Sequence, residues 1–194
     1  MNCRFKAMAF CLTVVSLYAM QLACRRSGEA GLSHSDRSEQ TGSGTSAQLG
    51  TPVAQNSAEA EHGKGYAYIE KGEYDKAIEE FTQAIKTGPN SAEAYLGRGD
   101  VYELKGEYDK AIAEYTHAIR VNPNFALAYQ TRGAVYRAKG DNDRAIADLT
   151  QAIRINPNEA IAYNLRGFAY RAKGDNARAD ADIAKSIELL SGRR

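Results

Sequence analysis

Tryptophan is missing from this chain of 194 residues, and its only cysteines lie at positions 3, 11 and 24. Everything after residue 24 therefore lacks the thiols that a disulfide framework or a thiolate metal site would need. A large excess of positive or negative charge is missing as well, because the formal net charge is +1. Nucleic-acid-binding domains usually carry a clustered basic surface, so the composition argues against nucleic acid as a partner.

Motifs for catalysis and for cofactor binding are also missing. The three histidines are His34, His62 and His117, and they share no spacing with one another, with a nucleophile or with a pair of acids. A catalytic triad or a metal site would need such a spacing. The glycines form no phosphate-binding loop. The sequence therefore predicts a protein that is not an enzyme and that binds no metal and no cofactor.

The first 24 residues follow the order of a secretory signal. Arg4 and Lys6 precede an apolar run at 7–23, which is at the short edge of the roughly 20 residues that cross a bilayer. Losing this segment would remove two positive charges and leave the net charge at −1. The pattern predicts export to the bacterial cell envelope.

The segment Gln21-Leu22-Ala23-Cys24 resembles a bacterial lipobox, with glutamine where leucine is usual. The resemblance implies that residues 1–23 are a signal peptide cleaved before Cys24, and that Cys24 is lipidated and holds the protein on a membrane, facing the periplasm. Two alternatives stay open. A general signal peptidase would release a soluble periplasmic protein, and an uncleaved segment would itself be the membrane anchor.

Residues 24–57 are rich in glycine, serine and threonine and contain no phenylalanine, tyrosine or tryptophan. Such a composition cannot bury enough apolar surface to fold. We expect a flexible tether here.

The rest of the chain repeats itself every 34 residues, which is the signature of a repeat architecture. The period defines four units, at 58–91, 92–125, 126–159 and 160–193. The recurring residues are Pro89, Pro123 and Pro157; Gly65, Gly99, Gly133 and Gly167; Gly72, Gly106, Gly140 and Gly174; and Ala77, Ala111, Ala145 and Ala179.

Each unit is predicted to be a pair of helices, A and B. In the second unit, Tyr95, Gly99 and Tyr102 fall on one face of helix A, at spacings of four and three. Gly106 is the predicted left-handed end of helix A, and Asp109 is the predicted N-cap of helix B. The small residue at Gly99 predicts a close approach of the two helices.

This arrangement resembles the tetratricopeptide repeat, whose pattern places aromatic, small and proline residues at set positions of a 34-residue unit. The resemblance implies an all-α fold, an α-solenoid of four helix-turn-helix repeats that winds into a right-handed superhelix of about half a turn. The matching residues are Tyr95, Gly99, Tyr102, Ala111, Tyr115, Ala118 and Pro123 in the second unit, and Tyr129, Gly133, Tyr136, Ala145, Leu149, Ala152 and Pro157 in the third.

The fourth unit differs from the others at Asp180, where they carry isoleucine, and at Ser186, where they carry alanine. Polar residues at such positions are typical of an end repeat. Ile187, Leu189 and Leu190 follow, and we expect them to stay partly exposed. That exposure would allow weak self-association through this end.

A basic residue precedes the helix A glycine of every unit, and an acid lies sixteen residues after it. The pairs are Lys64 with Glu80, Arg98 with Glu114, Arg132 with Asp148, and Arg166 with Asp182. An ion pair within each unit is the favoured interpretation, because every cation has a matching acid. The alternative is a row of cations that binds an anionic ligand.

In the tetratricopeptide family, helix A lines a concave face that binds peptides or partner helices. The resemblance implies a groove that is acidic in its first half and basic in its second, which suggests a partner segment of matching charge. The alternative is that these are ordinary solvated helix faces. The predicted groove residues are Glu59, His62, Tyr66, Ile69, Glu93, Leu96, Asp100, Glu103, Leu127, Gln130, Arg137, Ile161, Asn164, Phe168 and Arg171.

The function implied is that of a protein–protein interaction scaffold of the bacterial cell envelope, with another protein as its partner. An alternative is an accessory or regulatory subunit that tethers an envelope enzyme, such as a wall hydrolase, a protease or a secretion complex. The clamp of lysine, asparagine and arginine with which some family members hold a chaperone's C-terminal carboxylate is replaced here. The corresponding places hold His62, Tyr66, Gly97, Leu127 and Thr131.

Overall fold

A computed structural model describes residues 63–192, which contain helices and no strand. Helix α1 spans residues 63–70 of this part of the chain. The others are α2 (Tyr74–Thr87), α3 (Ala92–Leu104), α4 (Tyr108–Val121), α5 (Ala126–Ala138), α6 (Asn142–Ile155), α7 (Ala160–Ala172) and α8 (Asn176–Ser191). The predicted signal, the lipidation at Cys24, the tether, Glu59 and His62 lie outside the described residues.

The helices alternate between the A and B types. Helices α3, α5 and α7 are A helices, and each packs against the B helix that follows it and against the B helix that precedes it. They begin at Ala92, Ala126 and Ala160, the first residues of the second, third and fourth predicted units. Because each unit contacts only its neighbours, the core continues from one unit to the next, as in a solenoid.

The turn between helices A and B depends on a glycine in the left-handed region. Gly106 has φ +74°, a conformation that residues with a Cβ adopt at a cost. Its N–H donates to the carbonyl of Glu103 at 2.9 Å, and the N–H of Glu107 donates to the carbonyl of Tyr102 at 2.8 Å. These two bonds form a Schellman motif, so the predicted end of helix A is confirmed. The other repeats have the same glycine at Gly72, Gly140 and Gly174.

The predicted N-cap of helix B in the second unit is wrong. Helix α4 begins at Tyr108 with Glu107 at the N-cap, which makes no side-chain capping bond. Asp109 lies in the first turn, where a carboxylate still interacts favourably with the helix dipole. Aspartate does act as the N-cap in the last two units, where Asp141 and Asp175 each accept a backbone N–H.

Glycines allow the helices to approach closely, as predicted. A Cβ on Gly99 would lie 2.6 Å from the ring of Tyr115, closer than carbon atoms pack. A second contact of this kind crosses from one unit to the next. The ring of Phe81 lies against Gly97 of the following unit, where a Cβ would be 2.4 Å away.

The last helix is partly uncovered. Asp180 is exposed, and so are Ile187 and Leu190, at 61% and 59% of their surface. Ser186 is buried and 3% exposed, so it packs inside the last repeat and does not belong to the end surface. Of the two polar residues predicted to mark an end repeat, only Asp180 is therefore exposed on the last helix.

Candidate protein-binding surface

The predicted ion pairs form in the last three repeats. Arg132 donates from Nε and Nη2 to the two oxygens of Asp148 at 2.7 and 2.9 Å. Arg166 makes the same two-bond contact with Asp182, at 2.8 Å for each bond. The hydrogen bonds with Asp182 raise the pKa of the Arg166 guanidinium, against an opposing effect of burial. These pairs are about 85–90% buried, since the arginine and aspartate side chains keep 16% and 10% of their exposure.

The second repeat has a weaker version of this pair. Arg98 donates to Glu114 through Nη2 alone, at 2.8 Å. Within residues 63–192, its buried Nε has no hydrogen-bond partner. The longer glutamate side chain thus uses one oxygen where aspartate uses two.

In the first repeat the predicted ion pair is wrong. No ion pair joins Lys64 to Glu80 among the described residues, and Lys64 is exposed. An exposed ion pair contributes only about 0–1 kcal/mol, which is a small gain for ordering two long side chains.

The same arginines also bind the preceding repeat. Their Nη1 groups donate to a threonine hydroxyl on the previous B helix: Arg98 to Thr82 at 3.1 Å, Arg132 to Thr116 at 2.9 Å and Arg166 to Thr150 at 3.1 Å. Each guanidinium also lies over the tyrosine three residues before it, at 5.6–5.9 Å from the ring centroid. These contacts occupy the arginines and support a structural role over the binding of an anionic ligand.

A second series of contacts joins consecutive repeats. Lys105 binds Asp75 of the previous repeat at 2.6 Å, and the same contact joins Lys139 to Asp109 and Lys173 to Asp143. In the fourth repeat, alanine replaces both the aspartate of this series, at Ala177, and the threonine of the arginine series, at Ala184. The last helix therefore lacks the polar groups with which the other B helices hold the next repeat.

The predicted groove residues differ in accessibility. Leu96, Asp100 and Gln130 are buried, with 2%, 3% and 6% of their surface exposed. Among the described residues, the accessible part of the predicted groove therefore extends over all four repeats, with the largest number of accessible residues in the fourth. Exposed groove residues are Glu93, Phe168 and Arg171; partly exposed ones are Tyr66, Ile69, Glu103, Leu127, Arg137, Ile161 and Asn164.

Two of the predicted basic groove residues have distinct surroundings. Arg171 donates to the exposed Asp180 at 2.5 Å, an ion pair that water and salt weaken. Arg137 is half-buried, and burial lowers the pKa of its guanidinium. An arginine remains charged despite such a change, so both side chains contribute positive charge to the second half of the groove.

A polar cluster in the second repeat includes Tyr115, which the sequence indicated only as a residue that matches the repeat pattern. The hydroxyl of Tyr115, on α4, lies 3.0 Å from Oδ1 of Asp100 and 2.8 Å from Oε2 of Glu103, both on α3. The other repeats carry Phe81, Leu149 and Ile183 at this position. Tyr115 is the one residue with a hydroxyl group at this repeat position, where the other three repeats have apolar residues. This difference was the signal in the sequence that could have revealed the cluster.

Helix pairs that stack one on the next define an α-solenoid, a class of repeat protein that binds partners along an extended surface. No helix within residues 63–192 is long and apolar enough to cross a membrane. The same residues hold no cluster of histidine, cysteine, aspartate or glutamate that could bind a metal ion.

Comparison with known families identifies the repeat. Profiles described as "Tetratricopeptide repeat" match residues 62–124, 114–147 and 160–189, and one described as "TPR repeat" matches residues 133–174. This chain is similar to a crystal structure of MamA, with 31% sequence identity and a TM-score of 0.66. The match covers 71% of this chain and 81% of the MamA chain. The chain belongs to the tetratricopeptide repeat family, and its fold is that of a protein–protein interaction scaffold.

Two further solved structures share the fold at lower identity. MamA 41-end from Desulfovibrio magneticus RS-1 is 24% identical, covers 72% of this chain and 78% of that one, and has a TM-score of 0.63. The first TPR of Spaghetti (RPAP3), bound to the HSP90 peptide SRMEEVD, is also 24% identical; it covers 62% and 95% of the two chains, with a TM-score of 0.60. A search among curated proteins found no match. The predicted all-α solenoid is thus confirmed.

Proposed function

We propose that this chain is an exported scaffold of the bacterial cell envelope, and that it binds a peptide or helix of a partner protein on its A-helix surface. The observation that carries the proposal is Phe168, which is 43% exposed on α7. Ile161, Asn164 and Arg171 are spaced by seven, four and three residues from it, so they share its face of the helix. An exposed aromatic ring beside apolar and polar neighbours is typical of an anchor point in a protein interface.

Charge gives the proposed partner a direction. Glu93 is exposed in the second repeat, and Arg171 is exposed in the fourth. A segment that binds along the groove would place its basic end near Glu93 and its acidic end near Arg171, with an apolar residue against Phe168. Complementary charges of this kind mainly set orientation and the rate of association.

Photo-crosslinking from single positions tests the proposal. A photoreactive amino acid in place of Phe168 is expected to capture a partner from an envelope extract of the source bacterium. The matched control places the same group at Arg154, an exposed position on the B helix α6. Equal capture from both positions would contradict a specific groove. So would capture at Phe168 that an excess of unlabelled wild-type chain does not reduce.

The envelope part of the proposal has a separate test. If Cys24 is lipidated, metabolic labelling with a fatty acid is expected to mark the full chain and to be lost in Cys24→Ala. A chain with Cys3→Ala and Cys11→Ala is the control and is expected to keep the label. Labelling that survives Cys24→Ala would contradict a lipid at this residue.

A further inference from the structure

The polar cluster of the second repeat places one hydroxyl between two carboxyl groups. Tyr115 is fully buried and Asp100 is 3% exposed. The Tyr115 oxygen is 3.0 Å from Asp100 and 2.8 Å from Glu103, and both distances are those of hydrogen bonds between oxygen atoms. Each contact therefore needs a proton between its two oxygens.

A tyrosine hydroxyl has one proton to donate, and an ionised carboxylate can only accept. The hydroxyl can thus satisfy one of the two carboxyl groups as a donor. The other contact is attractive only if that carboxyl group is itself protonated and donates to the tyrosine oxygen. We propose that Glu103 carries this proton in the folded protein, and that Asp100 is the ionised acceptor, so that the cluster is a proton-linked switch on the groove surface.

The surroundings assign the proton to Glu103. Burial raises the pKa of the Glu103 carboxyl, and this effect exceeds the opposing one of the hydrogen bond with Tyr115. Asp100 has a second hydroxyl nearby, since the Tyr66 oxygen lies 3.5 Å from its Oδ2. The hydroxyls of Tyr115 and Tyr66 can therefore both donate to Asp100, which needs no proton of its own to accept them.

Glu103 and the side chains linked to it through hydrogen bonds and ring contacts come from four elements. Asp100 lies on its own helix, α3, Tyr115 on α4, and Tyr66 on α1. Helix α2 contributes the ring of Phe81, which packs edge-on against Tyr66 at 5.3 Å. Arg137 occupies on α5 the position that Glu103 has on α3, one repeat later. Burial and the tyrosine contact act on the carboxyl directly.

The consequence for binding rests on the proposed function. With Glu103 protonated, the second repeat presents a weaker negative potential to a partner. Release of the proton as the pH rises adds one negative charge to the acidic half of the groove. A partner segment with its basic end in this half would then bind more tightly at higher pH.

A titration of the full chain tests the proton directly, with no partner present. The side-chain carboxyl resonances of ¹³C-labelled glutamate are followed by NMR from pH 3 to pH 8, and the Glu103 signal is assigned by its loss in Glu103→Gln. We expect its midpoint to lie above the ordinary value of 4.5. A midpoint at or below that value would overturn the proposal.

Stability gives a second measurement. Because the folded protein binds the proton more tightly than the unfolded chain does, the contribution of Glu103 is fully present below pH 4.5 and is lost as the pH rises through the raised pKa. Relative to wild type, Glu103→Gln should therefore gain stability across this window, while Glu93→Gln, an exposed change on the same helix, should follow the wild-type profile. Parallel profiles for wild type and Glu103→Gln would overturn the proposal. Failure of groove crosslinking would affect only the proposed function, since neither measurement here involves a partner.

Discussion

Replacing Glu114 with aspartate is expected to stabilise the protein, because the molecule already contains the better version of this ion pair. In the third repeat, Asp148 accepts from two nitrogens of Arg132. In the second, Glu114 accepts from one nitrogen of Arg98. Among the described residues, the buried Nε of Arg98 has no acceptor. Aspartate at position 114 has the side-chain length that allows both bonds.

The size of the gain follows from the burial of the pair. Leaving a buried donor without a partner costs about 1–3 kcal/mol, and a two-bond contact with a carboxylate is among the stronger hydrogen-bonded geometries. The side chains of Arg98 and Glu114 are 18% and 13% exposed, so contact with water offsets a small part of the cost of the unpaired donor. The methylene removed by the substitution withdraws at most about 0.8 kcal/mol of burial. We therefore expect a net stabilisation of about 1 kcal/mol.

Chemical and thermal unfolding, followed by circular dichroism, measure this change. A gain of this size should raise the melting temperature by roughly 2–5 °C and should persist in high salt, because a buried pair is weakly screened. The reverse substitution, Asp148→Glu, should lower stability by a similar amount. If Glu114→Asp is neutral or destabilising while Asp148→Glu changes nothing, the two-bond geometry does not control stability and the reasoning is refuted.

Three other substitutions test separate features by the same unfolding measurements or by sedimentation. Gly99→Ala should lower the free energy of unfolding by about 1–3 kcal/mol, because the new Cβ meets a buried ring at 2.6 Å. Gly106 has open space around it but a φ of +74°, so Gly106→Ala should lower the free energy of unfolding by about 1–2 kcal/mol through backbone strain alone. Thr116→Val should lower the free energy of unfolding by about 1 kcal/mol, because the Nη1 group of Arg132 loses its hydroxyl acceptor. An unchanged unfolding midpoint would show that this hydrogen bond between repeats is not stabilising. Ile187→Glu should abolish any concentration-dependent increase in sedimentation coefficient if the exposed end of α8 mediates weak self-association, and an increase that persists in the variant would argue against this surface.

Much of the fold could be read from the order of residues, because a helix repeats its faces at a constant interval. The 34-residue period, the left-handed glycine at Gly106 and the partners of Arg132 and Arg166 all follow from spacing alone. Positions sixteen residues apart recur in every unit, so one prediction of an ion pair served for the whole chain. It was wrong for Lys64, since spacing does not report that this side chain is exposed to water.

The groove was harder to predict, because accessibility depends on what packs over a side chain. Leu96, Asp100 and Gln130 lie at groove positions in the repeat pattern but are buried. Phe168 has the same position in its unit as Asp100 and is 43% exposed. Residues at equivalent positions of different repeats lie on the same face of their helices but have different neighbours, so their exposure to solvent differs.

The helices, their glycine turns and the arginine–acid pairs of the last three units could be predicted from the order of residues, since these features depend on residues close together in a fixed period. The contacts between units depend on how the helices pack and could not be predicted from the repeat period. The threonine bound by each arginine and the aspartate bound by each of Lys105, Lys139 and Lys173 belong to the preceding repeat. Two side chains that meet across a repeat boundary do so because of the distance and angle between helices, and the packing of large side chains such as Phe81 against Gly97 sets that geometry.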